Sequence, residues 1–172
     1  MTLIEKCQRV RLFLSDVDGV LTDGSIEYDN ERVERKRFHA RDGLGVRLWQ
    51  KAGLPIGLVT ARRSRIVELR AVELDIDILR MGEENKRQAV LGILEELDMP
   101  PEDVCYLGDD LNDLSTVRMV GLGLAVADAC EELCDAADHV TTAPGGRGAL
   151  REAIELILKA QGRWEEILAT YE

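Results

Sequence analysis

Histidine, cysteine and aromatic side chains are scarce in this 172-residue chain, and each shortage removes a class of chemistry. The two histidines (His39, His139) and the four cysteines (Cys7, Cys105, Cys130, Cys134) form no CxxC pair and no His–Cys cluster. A structural zinc site and a Cys–His nucleophile therefore find no support, and the cysteines read as reduced structural thiols. No apolar run reaches the roughly 18 residues of a membrane span, and the opening MTLIEKCQRV has no signal-peptide core, so a cytoplasmic protein without a membrane partner is expected. Basic residues are in deficit, 22 against 33 acidic, and a net charge of −11 argues against nucleic acid as a partner. A small anionic substrate stays open, because a basic pocket or a bound cation reverses the sign locally.

What is present is rhythm. Short apolar runs at Leu12–Ser15, Pro55–Thr60, Ile76–Leu79, Val104–Leu107, Leu122–Val126 and His139–Thr142 alternate with helical patterns near 42–52, 63–74, 84–98, 111–120, 130–136 and 148–161. Alternation of this kind predicts an α/β fold in one domain over 1–172: a doubly wound, mostly parallel sheet with helices on both faces. Gly53 and Pro55 close one helix, and Met99-Pro100-Pro101 closes another. Residues 25–40, SIEYDNERVERKRFHA, break the pattern. They alternate about an Asp29-Asn30 turn with too little apolar surface to pack alone, which predicts a β-hairpin projecting from the domain.

The strand ends carry the chemistry, because ligands of doubly wound sheets bind beyond the carboxyl ends of the strands. In LFLSDVDGVLTDG an apolar run ends in Asp16 and Asp18, and two carboxylates so close need a cation or solvent between them. Thr60 ends the second run with Arg62 and Arg63 beyond it, Lys86 opens a helix, and GDDLND supplies Asp109, Asp110 and Asp113. Asp16, Asp109 and the Asp18 backbone carbonyl suit Mg²⁺, a hard cation that takes few carboxylates plus phosphate oxygens. Asp16 is then the candidate nucleophile at phosphorus and Asp18 the candidate general acid and base. Thr60, Lys86 and backbone N–H groups after Asp16, around Gly19, are candidates to bind phosphoryl oxygens, with Asp110 and Asp113 behind the metal ligands. Taken singly, each has a bland reading: a strand-end Asp is often a helix cap, as Asp42 before GLGVRLW is expected to be. Four such groups at strand ends in one chain are not explained that way.

DVDGVLTDG, Thr60, Lys86 and GDDLND together resemble, in order, the four motifs of the haloacid dehalogenase phosphatase superfamily. Only 43 residues separate Asp16 from Thr60 and 25 separate Thr60 from Lys86, so neither gap houses a cap domain. With ARDGLGVRLW and GGRGALRE added, the chain resembles the capless 3-deoxy-D-manno-octulosonate 8-phosphate phosphatases. That resemblance implies a Mg²⁺-dependent phosphatase of lipopolysaccharide precursor synthesis, a sugar-acid phosphate substrate, and a homotetramer whose hairpins help shape neighbouring sites. It also makes Arg41, Arg62 and Arg147 candidates for the sugar-acid side, where a guanidinium binds a carboxylate bidentately. Two positions depart from the family pattern: Ala61 stands in Val59-Thr60-Ala61-Arg62 where glycine is common, and Glu83-Glu84-Asn85 precedes Lys86. A phosphatase for a nonulosonate 9-phosphate is the nearest rival. A phospho-receiver would carry its acceptor Asp on a middle strand, and a non-catalytic assembly module would not need Asp16, Asp18, Lys86 and Asp109 intact.

Overall fold

A computed structural model describes residues 1–171. In chain order the elements are α1 (Leu3–Arg9), β1 (Leu12–Ser15), β2 (Glu27–Tyr28), β3 (Glu34–Arg35), α2 (Ala40–Lys51), β4 (Ile56–Thr60), α3 (Arg65–Glu73), β5 (Ile78–Met81), α4 (Lys86–Glu96), β6 (Val104–Gly108), α5 (Leu111–Val117), β7 (Leu122–Ala125), α6 (Glu131–Ala136), β8 (His139–Val140), α7 (Ala149–Ala160) and α8 (Trp164–Leu168). Short 3₁₀ turns at Pro101–Asp103 and Ala169–Tyr171 complete them. Six strands form one sheet in the order β5-β4-β1-β6-β7-β8, and every pairing in it is parallel. The chain runs outward from β1 to one edge and then returns to the other side of it. The order therefore reverses between β1 and β6, where an open α/β sheet leaves its ligand crevice.

The sheet is buried on both faces, so its strands read as continuous apolar runs rather than alternating ones. β1 shows why: Phe13 enters one core, with Trp49, Ile154 and Leu158, while Leu12 and Leu14 enter the other, with Val90, Ile93 and Tyr106. Phe13 meets Trp49 edge to face at 5.8 Å, the arrangement favoured by ring quadrupoles. Helix α7 buries Leu150, Ala153, Ile154, Ile157 and Leu158, a stripe at helical spacing, against that first core. Among the described residues no helix is long and apolar enough to cross a membrane.

Two helices lie outside the expected set. α1 has a capping box, Thr2 with Glu5, a signal the sequence carried. α8 is a single short turn that adds Ile167 to the core. β5 starts two residues later than expected, although Ile76 is buried just before it. The expected role of Asp42 is corrected: His39 is the N-cap of α2, its Nδ1 accepting from Arg41 N at 3.2 Å, and Asp42 is one turn inside. Asp42 instead caps α7 across the fold, Oδ2 accepting from Gly148 N at 3.2 Å and Oδ1 from Arg151 N at 3.0 Å. Gly148 has no side chain to do this. All four cysteines are free thiols, Cys7 and Cys105 buried.

The hairpin forms as its own two-stranded sheet, with Tyr28 opposite Glu34 and Glu27 opposite Arg35. Asp29 makes the turn, its Oδ1 accepting from Glu31 N and Val33 N, each at 2.9 Å. Its Ile26, Tyr28 and Val33 are all more than half or half exposed, at 54%, 56% and 50%.

Candidate active site

β1 and β6 are neighbours, so the residues that follow them meet at the reversal point of the sheet. Oxygens of Asp16, Asp109 and Asp113 lie within 4.8 Å of one another. Three carboxylates at that distance demand positive charge, and one source is Lys86. Its ammonium, wholly buried, contacts Asp16 Oδ2 at 2.8 Å and Asp113 Oδ1 at 2.7 Å. Burial works against the Lys86 charge, but Asp16 and Asp113 outweigh it and hold the ammonium on the protonated side. Lys86 reaches this point because α4 starts at it: Asn85 caps the helix by accepting from Gln88 N, and Glu83 N donates to the Thr60 carbonyl.

Asp113 is fully engaged. Oδ1 also accepts from the buried Tyr106 hydroxyl at 2.7 Å, and Oδ2 accepts from Asp109 N at 3.0 Å. It stands behind Asp16 and Asp109 as a brace. One lysine does not neutralise the set. Burial, then repulsion from Asp113, push Asp16 up to about 6 despite Lys86, and burial, then repulsion from Asp16 and Asp113, push Asp109 up to about 8. A buried and a half-buried carboxylate held together at such cost are the donor set of a hard divalent cation, and all the donors are oxygens. The residues present thus fit Mg²⁺. Asp110 is exposed and serves α5 as its N-cap, bonding Leu111 N.

The loop after β1 is shaped for close approach. Gly19 has φ +94°, and a Cβ there would lie 1.9 Å from Asp109 Oδ2. Its N–H turns inward to Thr22 Oγ1 at 3.3 Å, so what Gly19 visibly supplies is room for Asp109. A Cβ on Gly145 would lie 1.7 Å from the Gly19 carbonyl oxygen, which is how the GGRG segment closes on the same loop. Thr60 is buried at the end of β4, its hydroxyl accepting from Arg62 N at 3.2 Å.

Asp18 faces outward to a group that motif reading missed. The hairpin brings Lys36 Nζ onto Asp18 Oδ1, and the Lys36 side chain is 1% exposed. Glu34 binds Ser64 Oγ at 2.6 Å and Arg62 Nη2 at 3.2 Å, and Arg62 Nη2 also donates to the Tyr28 hydroxyl at 2.8 Å. Arg62 Nε stands 3.8 Å from Asp18 Oδ2. The one signal for this was the period-two spacing of Glu34 and Lys36, which puts both on one side of a strand. Arg62 is therefore beside the motif residues. Arg41 and Arg147 are not: they line a separate groove of about 570 Å³ with Arg151, Glu152 and Glu155.

Comparison with known proteins agrees with this geometry. Residues 75–150 match the haloacid dehalogenase-like hydrolase family. The chain is 44% identical over 164 residues to the 3-deoxy-D-manno-octulosonate 8-phosphate phosphatase of Escherichia coli strain K12, covering 95% of this chain and 87% of that protein. The crystal structure of the Moraxella catarrhalis phosphatase of the same name, in complex with magnesium, phosphate and KDO, superposes with a TM-score of 0.97 at 39% identity, covering 99% of this chain and 98% of that one. A cobalt-bound form of the Haemophilus influenzae phosphatase superposes at 0.88 with 37% identity, covering 91% and 92%.

Proposed function

This chain belongs to the 3-deoxy-D-manno-octulosonate 8-phosphate phosphatases of the haloacid dehalogenase-like hydrolases, and on that premise we propose that it hydrolyses this sugar-acid phosphate through an aspartyl-phosphate on Asp16. The observation that carries the reading is the buried Lys86 joined to Asp16 and Asp113 beside Asp109.

Lys86 fixes one oxygen of Asp16, which aims the carboxylate at phosphorus. A bond forms from an Asp16 oxygen to phosphorus as the bond to the sugar oxygen breaks, and Asp18 gives that oxygen its proton. Asp18 then takes a proton from the attacking water, the acyl-phosphate bond breaks, and phosphate leaves with Asp16 restored. Thr60 and Lys86 hold phosphoryl oxygens beside Gly19. Mg²⁺, held by Asp16, Asp109 and the Asp18 carbonyl, neutralises the phosphate dianion and the developing charge. Asp113 locks Lys86 and the Asp109 backbone in place, and Asp110 holds α5.

Arg62, next to Asp18, is assigned to the substrate carboxylate. Arg41 and Arg147, in their separate groove, reach substrate only if a neighbouring subunit sets them there. The proposed assembly is a homotetramer in which hairpins meet; the exposed Ile26, Tyr28 and Val33, which give the hairpin an apolar surface to bury, support it. The cytoplasm is the compartment assigned, in keeping with four free thiols.

Turnover by purified protein with Mg²⁺ should favour 3-deoxy-D-manno-octulosonate 8-phosphate over a nonulosonate 9-phosphate in kcat/KM. Asp16→Asn should fall to background while remaining folded. A preference for the nonulosonate overturns the substrate assignment, and an active Asp16→Asn protein overturns the nucleophile.

A further inference from the structure

The three nitrogens of Arg62 stand in unlike surroundings. Nη2 donates twice, to the Tyr28 hydroxyl at 2.8 Å and to Glu34 Oε1 at 3.2 Å. Nε is buried, bonds no acceptor and stands 3.8 Å from Asp18 Oδ2. Nη1 meets no acceptor among the described residues and is not buried, and the side chain that carries it is 36% exposed. The guanidinium is thus anchored through one nitrogen and open to a ligand through another.

Both anchors come from the hairpin, and its register brings them together. Tyr28 on β2 is directly opposite Glu34 on β3, so the two side chains share one face and reach the same nitrogen. Glu34 is itself fixed: Oε2 accepts from Ser64 Oγ at 2.6 Å, which ties β3 to the turn that carries Arg62. An unanchored arginine loses rotamer freedom when it binds a ligand, and here the unpartnered Asp18 Oδ2 would also compete for it. From this geometry we infer that Tyr28 and Glu34 are positioning residues for substrate selectivity: they clamp Arg62 with Nη1 outward, so that the carboxylate of the sugar acid meets a preset donor. The inference rests on the reading of Arg62 as the carboxylate contact, and it gives each subunit's own hairpin a part in choosing substrate.

The test reads selectivity rather than rate. Two substrates are compared at saturating Mg²⁺: 3-deoxy-D-manno-octulosonate 8-phosphate and D-arabinose 5-phosphate. Both release a primary alkoxide, so their leaving groups match, and only the first carries a carboxylate. The ratio of their kcat/KM values is taken for wild type, Tyr28→Phe, Glu34→Ala, Glu34→Gln, the double variant Tyr28→Phe with Glu34→Ala, and Arg62→Met. Tyr28→Phe removes the hydroxyl and keeps the ring, so the apolar surface of the hairpin is preserved. Tyr28 and Glu34 lie outside the six-stranded sheet and its two cores, and circular dichroism checks that each variant is folded. Tyr28→Phe and Glu34→Ala should each lower the ratio about three- to tenfold, through KM, because the ligand must then order one long side chain. Glu34→Gln should recover part of that loss, and the double variant should approach Arg62→Met. The inhibition constant of free 3-deoxy-D-manno-octulosonate should rise in step, and that of inorganic phosphate should not. A ratio that holds or rises in the double variant overturns the inference, including the case where both substrates lose equally, as for residues that only stabilise the hairpin. If Arg62→Met loses the ratio while the double variant keeps it, the carboxylate contact stands and the clamp alone is wrong. If Arg62→Met keeps the wild-type ratio, the contact itself is misassigned, and the inference falls with it.

Discussion

Replacing Gly19 by alanine tests the metal pocket through a residue that is not itself a ligand. The added Cβ would sit 1.9 Å from Asp109 Oδ2 and 2.5 Å from its Cγ. Ordinary carbon–oxygen contact is about 3.3 Å, so the carboxylate must retreat by about 1.4 Å. Mg²⁺ holds its ligands at about 2.0–2.1 Å in a strict octahedron and does not follow a shift of that size. A misplacement of about 1 Å can cost about 100-fold in rate. We expect kcat/KM to fall at least about 100-fold, or about 2.7 kcal/mol, and the Mg²⁺ midpoint to rise at least about tenfold. A side chain at φ +94° also strains the backbone, by about 1–3 kcal/mol, which at about 2–4 °C per kcal/mol lowers Tm by several degrees. Gly24→Ala separates the two effects. It also carries positive φ, +76°, but its nearest neighbour would be Gly19 Cα at 3.6 Å. It should share the Tm loss and keep its Mg²⁺ midpoint. Kinetics across a Mg²⁺ titration, with melts in chelator and in Mg²⁺, decide the matter. A Gly19→Ala enzyme with a wild-type midpoint and turnover would refute the placement of Asp109.

Without metal, the raised Asp16 (about 6) and Asp109 (about 8) hold protons that the unfolded chain releases near its ordinary value of 3.8, so stability should decline as pH rises above about 4, the Asp16 part ending near pH 6 and the Asp109 part near pH 8. Melts in chelator should show that decline, added Mg²⁺ should reverse it, and Asp109→Asn should flatten it; a flat profile for the wild-type protein would contradict the cluster. Asp42→Ala strands one buried and one part-buried N–H group at the start of α7 and should cost about 1–3 kcal/mol by urea titration, whereas an effect below about 0.5 kcal/mol would deny the cross-fold cap. Ile26→Glu with Val33→Glu charges the exposed hairpin face while sparing Glu34 and Lys36, and should shift light scattering toward smaller species. Unchanged mass would remove the hairpin from the assembly.

The sequence by itself determined the layered α/β architecture and the chemistry of the rim. Buried parallel strands must be short and apolar on both faces, and the polar residues that end them can only lie along one edge, so Asp16, Asp18, Thr60, Lys86 and Asp109 were legible as a set. Their partners were not. Tyr106 read as one more apolar strand residue, yet its hydroxyl lies against Asp113, seven positions on, because α5 turns back over β6. Asp42 carried the signature of a cap, and only the packing of α2 on α7 decided which helix it caps. Lys36 looked like one charge in a charged hairpin, Glu34-Arg35-Lys36-Arg37, until the fold laid it on Asp18. Periodicity reports which side of an element is buried within one or two turns. It carries no information about which distant element arrives there, because that depends on how loops close and how helices pack on the sheet. For the same reason the three arginines looked alike in sequence, while the tertiary structure set Arg62 beside Asp18 and sent Arg41 and Arg147 to a different groove.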